Sequence, residues 1–119
     1  MISEFISRVF WARDVAHFAH LTSSSYAQHM ALGSFYDDVV GAADGVTEAY
    51  IGQFDEMPEF CRVPDKKMPK DLCKFFREES DWIEENRSEI AGSSPAIENM
   101  VDTVTSLYLS LVYKLEHLK

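Results

Sequence analysis

Apolar side chains recur every three to four residues through four stretches of this chain, and this periodicity constrains the fold more than any other feature. Such spacing places apolar residues on one face of an α-helix, whereas a half-buried strand needs alternation at every second residue. The sequence contains no comparable alternating stretch. It therefore predicts an all-α protein with helices at roughly 2–21, 26–51, 70–90 and 96–117.

The breaks between these stretches have the composition of helix ends. Hydroxyl side chains in residues 22–25 and the Ser-Pro pair at 94–95 favour helix starts. Gly52 is expected to end the second helix, and the prolines within 53–69 forbid a continuous helix there. Four helices joined by two short connections and one long one predict a single four-helix bundle over residues 1–119.

Two features inside the helices predict particular contacts. Glu79 lies in the apolar stripe of the third helix and Arg13 in that of the first. Because an unpaired buried carboxylate is costly, we expect an ion pair between them. Gly41 and Gly45 weaken the second helix, and small residues at this spacing permit a neighbouring helix to approach closely.

The charge of the chain narrows the range of partners. A formal net charge of −9 opposes binding to nucleic-acid phosphates, and the sequence has no Lys-rich arm.

No apolar run reaches the roughly 20 residues of a membrane helix. The first residues, MISEFISRVFWARD, carry charges where a signal peptide is apolar. Two cysteines without a CxxC spacing do not suggest a disulfide framework. We expect a cytoplasmic protein that binds neither nucleic acid nor membranes.

Histidines and carboxylates in the first two predicted helices form a candidate metal site. The short turn between the helices would bring the histidines together, and carboxylates four residues apart on a helix can reach one point. Imidazole together with carboxylate suits iron, zinc or manganese. The candidate ligands are His17, His20, His29, Asp44 and Glu48.

The two halves of this site cannot meet within one chain. His29 and Asp44 are fifteen positions apart on one helix, which is about 22 Å at 1.5 Å per residue. If two copies of the second helix pair antiparallel about a two-fold axis, His29 of one copy faces Asp44 and Glu48 of the other. A subunit contact is also predicted by a second apolar surface on the first helix, formed by Trp11, Val15 and Phe18.

The stretch AHFAHLTSSSYAQHMALGSFYDDVVGAADGVTEAY resembles the core motif of Dps, the mini-ferritins of starved bacteria. That motif has a His at the end of the first helix and a His near the start of the second, followed by an Asp fifteen residues later and a Glu four after that. His29, Asp44 and Glu48 match its last three positions. His17 matches the first without a gap, and His20 matches it if the turn is shortened by three residues. The resemblance implies a ferritin-like bundle in which two-fold-related subunits share a site that binds and oxidises ferrous iron.

The chain also departs from the Dps pattern. Dps has a further Asp four residues after its second His, and Gly33 stands there, which would weaken or abolish a second iron site. The chain has no basic tail and is shorter than a usual Dps subunit, which argues against the hollow twelve-subunit shell. The pattern from HFAHLTSSSYAQH to SLVYKLEHL also resembles short ferritin-like proteins of unknown role encoded by tailed phages.

Two functions remain open from the sequence. The first is a Dps-like homodimer or larger homo-oligomer that binds iron or another divalent metal between chains, with ferroxidase activity a possible outcome. The second is a non-enzymatic helical interaction protein that keeps the scaffold without metal. A buried His can equally be a hydrogen-bonded core residue. Asp44 and Glu48 can instead be solvated or pair with Arg8 or Arg13 across a dimer.

Overall fold

The structure, a computed structural model, describes residues 1–59, 61 and 66–118, and within them it contains five α-helices and no strand. The all-α prediction is therefore confirmed. None of these helices combines the length and the apolar character needed to cross a membrane. The helices are α1 (Ile2–Thr22), α2 (Tyr26–Phe54), α3 (Leu72–Glu85), α4 (Arg87–Ile90) and α5 (Pro95–His117).

The helices pack around one contiguous apolar core. A three-residue turn joins α1 to α2, which pack together as a hairpin; α2 packs against α5, α5 against α3, and α3 and α4 contact α1. Aromatic rings fill the middle of the core, where Phe35 meets Tyr108 at 4.9 Å and Phe76 at 5.3 Å between centroids, edge to face. Burial of such large rings supplies much of the apolar surface removed from water.

Hydroxyl caps start the helices where the sequence predicts them. The side chain of Ser25 accepts a hydrogen bond from the backbone N–H of Gln28, and the Ser94 side chain caps α5 in the same way. The predicted end of α2 at Gly52 is wrong. The helix continues to Phe54 and ends at Asp55, whose φ of 53° is left-handed and whose N–H donates to the carbonyl of Ile51 at 2.8 Å. Aspartate tolerates this conformation, so the helix does not need glycine there.

The predicted third helix, 70–90, is two helices that begin later. The Asp71 side chain caps α3 by accepting from the N–H of Lys74 at 3.0 Å. Asn86 separates α3 from α4, with φ −108° and ψ 12°. Its side-chain amide donates to the carbonyl of Trp82 at 2.8 Å. The backbone N–H of Asn86 also keeps its helical bond to the Trp82 carbonyl, at 3.1 Å, so the break is a local change in dihedral angles and not the loss of that bond.

Glu79 is buried and paired, as expected, but its partner is Arg8 rather than Arg13. The guanidinium of Arg8 forms two hydrogen bonds with the carboxylate, one of them Nε to Oε1 at 3.3 Å. The same guanidinium lies 4.1 Å from the centre of the Trp82 ring. Arg13 pairs instead with its neighbour Asp14 at 3.2 Å. The pair therefore ties α1 to α3 at the edge of the core.

The predicted helix contacts at small and apolar residues are only partly made within the chain. A Cβ on Gly45 would lie 3.4 Å from the Met100 side chain of α5, whereas a Cβ on Gly41 would meet nothing within 4 Å. On the second apolar surface of α1, Val15 is fully buried by the chain itself, while Phe18 remains 54% exposed. Among the residues that the structure describes, the close approach expected at Gly41 is thus not made.

Candidate functional site

Two of the candidate histidines meet across the α1–α2 hairpin. The rings of His20 and His29 are stacked, with centroids 3.7 Å apart and planes 20° from parallel. His20 Nδ1 lies 2.6 Å from the carbonyl oxygen of His29, and His29 Nδ1 lies 2.8 Å from that of His20. Each ring therefore binds the backbone of the other helix, and the pair fastens the hairpin at its turn.

These hydrogen bonds fix the tautomer of both rings. A carbonyl oxygen can only accept, so each Nδ1 carries the hydrogen and each neutral ring keeps a lone pair on Nε2. Metal-bound histidines commonly donate their second ring N–H to a backbone carbonyl in this way. The bond also has a purely structural use, because the His20 carbonyl is one of the last four of α1 and has no partner within the helix.

His17 stands apart from this pair. It is exposed, and its ring stacks on Tyr36 with centroids 4.2 Å apart and planes 8° from parallel. The His17 and His20 ring centroids are 6.4 Å apart. The sequence carries no signal for this contact, because no spacing rule connects Tyr36 with His17. The stacked ring holds His17 against the hairpin while leaving it accessible from solvent.

The structure gives a local reason for glycine at position 33, which the sequence did not reveal. A Cβ at this position would lie 3.0 Å from both Cε1 and Nδ1 of His20. The His20 ring therefore occupies the space that a side chain at residue 33 would need. Any side chain at residue 33, including the Asp expected there in Dps, would crowd the His20 ring and require it to shift.

The carboxylates lie at the other end of α2. Asp44 and Glu48 are exposed and line a groove of about 300 Å³ between α1, α2 and the segment that follows α2. That segment is fastened to α1 because the N–H of Glu59 donates to the Ser3 hydroxyl at 2.8 Å. The groove is lined by Ile6, Ser7, Phe10, Asp44, Thr47, Glu48, Pro58 and Glu59.

A single chain does not assemble the candidate ligands into one site. Within residues 1–59, 61 and 66–118, no group of three or more His, Cys, Asp or Glu side chains is placed to hold a metal ion. This agrees with the helix arithmetic, which separates His29 from Asp44 by about 22 Å. The sequence did not identify Ile6, Phe10 and Pro58 as groove residues. An apolar residue can lie in the core or in a groove, and the sequence pattern does not distinguish the two.

Both halves of the candidate site border one uncovered surface, which we call the outer face of the hairpin. On α2 it is the side opposite the core, as helical spacing requires. Four apolar side chains near the turn are unusually exposed, with 54% for Phe18, 67% for Leu21, 78% for Tyr26 and 49% for Met30. The α2 residues of this face are Tyr26, Met30, Asp37, Gly41, Asp44 and Glu48.

Comparison with known proteins gives a family without an assigned activity. Residues 20–115 match the model described as "Family of unknown function (DUF5856)". The chain is also 26% identical, over 94% of its own length and 85% of the relative's, to the "Uncharacterized 14.6 kDa protein in mobD-ri intergenic region" of Enterobacteria phage T4. No solved structure matches. The expected likeness to a phage protein of unknown role is confirmed, while the Dps and ferritin-like resemblance stays a prediction. Because the family model spans most of the chain, this protein belongs to the DUF5856 family.

Proposed function

We propose that this protein is a ferritin-like four-helix bundle that self-associates through the outer face of the hairpin. Two copies would bind a divalent metal between them, and iron is the metal that we propose. The histidines of one copy, His29 with His17 or His20, would share the ion with Asp44 and Glu48 of the other. The activity implied by the Dps resemblance is oxidation of ferrous iron, in which dioxygen or peroxide would accept the electrons that the iron loses.

The observation that carries the proposal is the separation of one candidate ligand set along α2, with half-buried His29 near the start of the helix and exposed Asp44 and Glu48 about 22 Å further along. The histidines lie at the turn, and the carboxylates lie at the far end of α2. An antiparallel two-fold pairing of α2 joins unlike ends and creates two equal sites. A parallel pairing would instead bring like groups together and leave each half incomplete.

The ligand chemistry fits such a metal. The Nδ1 hydrogen bonds of His20 and His29 leave Nε2 as the available donor atom. The Asp44 and Glu48 side chains are exposed, so a carboxylate can reach an ion without first breaking a buried contact. Imidazole nitrogen with carboxylate oxygen suits iron, and bound iron would supply the change between ferrous and ferric states. The chain itself contributes the orientation of the rings and the negative charge opposite them.

The test is metal content together with molecular mass. Purified protein is loaded anaerobically with ferrous iron, and the metal per chain is measured by mass spectrometry alongside light scattering. His29→Asn places an amide nitrogen where Nδ1 donates but has no Nε2, so the hairpin bond is kept and the ligand is lost. We expect this variant and Glu48→Gln to lose the metal, while Glu84→Gln on the exposed side of α3 keeps it. A monomer, or metal retained by both site variants, would contradict the proposal.

A second candidate is a helical interaction protein without metal. The observation that favours it is that the His20–His29 bonds satisfy the hairpin turn with no ion involved. The exposed apolar side chains of the outer face suit a protein interface equally well. This alternative expects an oligomer of unchanged mass in His29→Asn and Glu48→Gln, with no stoichiometric metal in the wild-type protein.

A further inference from the structure

The groove beside the carboxylates has the character of a receptor for one large side chain. Its lining includes the apolar residues Ile6, Phe10 and Pro58, and the exposed carboxylates of Asp44, Glu48 and Glu59 form its rim. A volume of about 300 Å³ is at the small end for ligand pockets. An apolar floor with acidic groups at the rim suits an aromatic ring that bears a hydroxyl donor at its tip.

The most exposed aromatic residue of the outer face is Tyr26, the first residue of α2, with 78% of its surface accessible. It cannot enter the groove of its own chain. Tyr26 and Thr47, a groove residue, are 21 positions apart on the same helix, or about 30 Å. Any tyrosine from this position that fills the groove must belong to another molecule.

The antiparallel pairing of the proposed function, on which this inference rests, sets the register. If His29 of one copy faces Asp44 and Glu48 of the other, then a residue three positions earlier faces the stretch three positions later, residues 47–51. Tyr26 is that earlier residue. The groove includes Thr47 and Glu48, so the same pairing that joins the ligands also brings Tyr26 to the groove.

We infer that Tyr26 of one copy docks into the groove of a second copy of this chain, and that the two-fold axis repeats the contact. The ring packs against Ile6, Phe10 and Pro58, and the phenol donates a hydrogen bond to a carboxylate of the rim. Two such anchors flank the shared ligands at either end of the paired helices. The inference therefore names Tyr26 as the residue on which self-association depends most.

The experiment measures the dimer dissociation constant by sedimentation velocity in the presence of a chelator, so that metal makes no contribution. Tyr26→Ser is expected to raise the constant by at least about tenfold, as for an anchor residue in a central pocket. Tyr26→Phe keeps the ring and raises it only a few-fold. Tyr113→Ser is the matched control, because Tyr113 is 56% exposed on α5, away from the outer face, and its loss should change nothing.

A second measurement checks the register directly. In a Cys61→Ser, Cys73→Ser background, chains with Met30→Cys and chains with Asp44→Cys are mixed and oxidised, so that Tyr26 stays intact in both. A disulfide between the two is expected, and its absence would overturn the register. Ser110→Cys on α5 replaces Asp44→Cys as the control and should not cross-link.

The results separate this inference from the proposed function. A dimer that binds metal but is indifferent to Tyr26→Ser overturns the docking and leaves the metal site standing. A dimer weakened by Tyr26→Ser that takes up no metal supports the docking and removes the proposed function. A monomer at all accessible concentrations overturns both.

Discussion

Two polar clusters on α1 differ in whether one chain completes them. The carboxylate of Glu79 is buried, and Arg8 of α1 meets it with two hydrogen bonds while stacking on Trp82. The second cluster, at the outer face of the hairpin, has histidines at one end of α2 and carboxylates at the other. The carboxylate is thus matched by a cation in the first cluster, whereas carboxylates and histidines are kept apart in the second.

The difference separates a structural role from a binding role. A buried carboxylate without its cation would be strongly destabilising, so the chain must supply Arg8 itself. The carboxylates of Asp44 and Glu48 are exposed and solvated, and the rings of His20 and His29 already bond to backbone carbonyls, so neither group imposes such a requirement. A ligand set can therefore remain divided in the monomer until a second copy completes it. Substitutions at the Arg8–Glu79 pair should therefore change stability most, and substitutions on the outer face of the hairpin should change it less.

Removal of Glu79 should be the most destabilising change. Glu79→Ala leaves the guanidinium of Arg8 beside the core without its carboxylate, and breaking a buried pair typically costs about 3 kcal/mol or more. Denaturant unfolding measures the change in the free energy of unfolding. Glu116→Ala is the control, since the Glu116–Arg77 pair is about half exposed and should be worth less than about 1 kcal/mol. Equal effects of the two variants would contradict the structural role of the buried pair.

Alkaline pH should weaken the fold through Tyr108, which lies near the buried pair. Burial raises the pKa of the Tyr108 phenol far above its usual value, and the negative charge of Glu79 raises it further. The folded phenol keeps its proton while the unfolded one ionises near pH 10, so stability falls as pH rises above 10 by about 1.4 kcal/mol per unit. In Tyr108→Phe this part of the slope between pH 10 and 12 should vanish. An unchanged slope would contradict the assignment.

Two glycines of α2 should respond differently to alanine. In Gly33→Ala the new Cβ crowds the His20 ring at 3.0 Å, and displacing the ring costs a hydrogen bond, about 1 kcal/mol. That loss cancels the helix propensity gained. Gly41→Ala meets nothing within 4 Å and should stabilise the monomer by up to about 1 kcal/mol. Thermal unfolding at low protein concentration gives the difference. Two equally stabilised variants would show that the His20 ring is not held in place.

The smallest predicted effect concerns Asp37 at the middle of the outer face. In the proposed register Asp37 lies close to the two-fold axis and therefore near its own symmetry mate. Like charges in an exposed setting repel by less than about 1 kcal/mol, so Asp37→Asn should tighten the dimer two- to five-fold at low salt. Sedimentation at low and high ionic strength checks this, since salt should remove the difference. Weaker association of the variant would contradict the register.

The helices themselves were predictable from the sequence. Apolar periodicity and hydroxyl caps are local signals, and they fix the starts of α1, α2 and α5 to within one residue. The break at Asn86 was missed because the residue keeps its helical backbone bond to Trp82 and departs from the helix only in its dihedral angles, which apolar periodicity does not report. Arg8 was missed as the partner of Glu79 because pairing across helices depends on their relative height, which periodicity does not give.

The candidate site was less predictable than the fold. The spacing of His29, Asp44 and Glu48 already required two chains, and the structure keeps these groups apart in one. The reciprocal bonds of His20 and His29 could not be foreseen, since they depend on the geometry of the turn. Gly33 was read only as a missing carboxylate, because its use as space for the His20 ring is a tertiary effect.

Complementation between two inactive variants tests the shared site most directly. His29→Asn chains and Asp44→Asn, Glu48→Gln chains are each loaded with ferrous iron alone, then mixed in equal amounts, allowed to exchange subunits and loaded again. Each variant alone should bind no stoichiometric metal. A mixed dimer combines intact carboxylates from one chain with intact histidines from the other, so random exchange should restore about one quarter of the wild-type metal per chain. If the mixture binds no more metal than its separate components, the ligands are not shared between subunits.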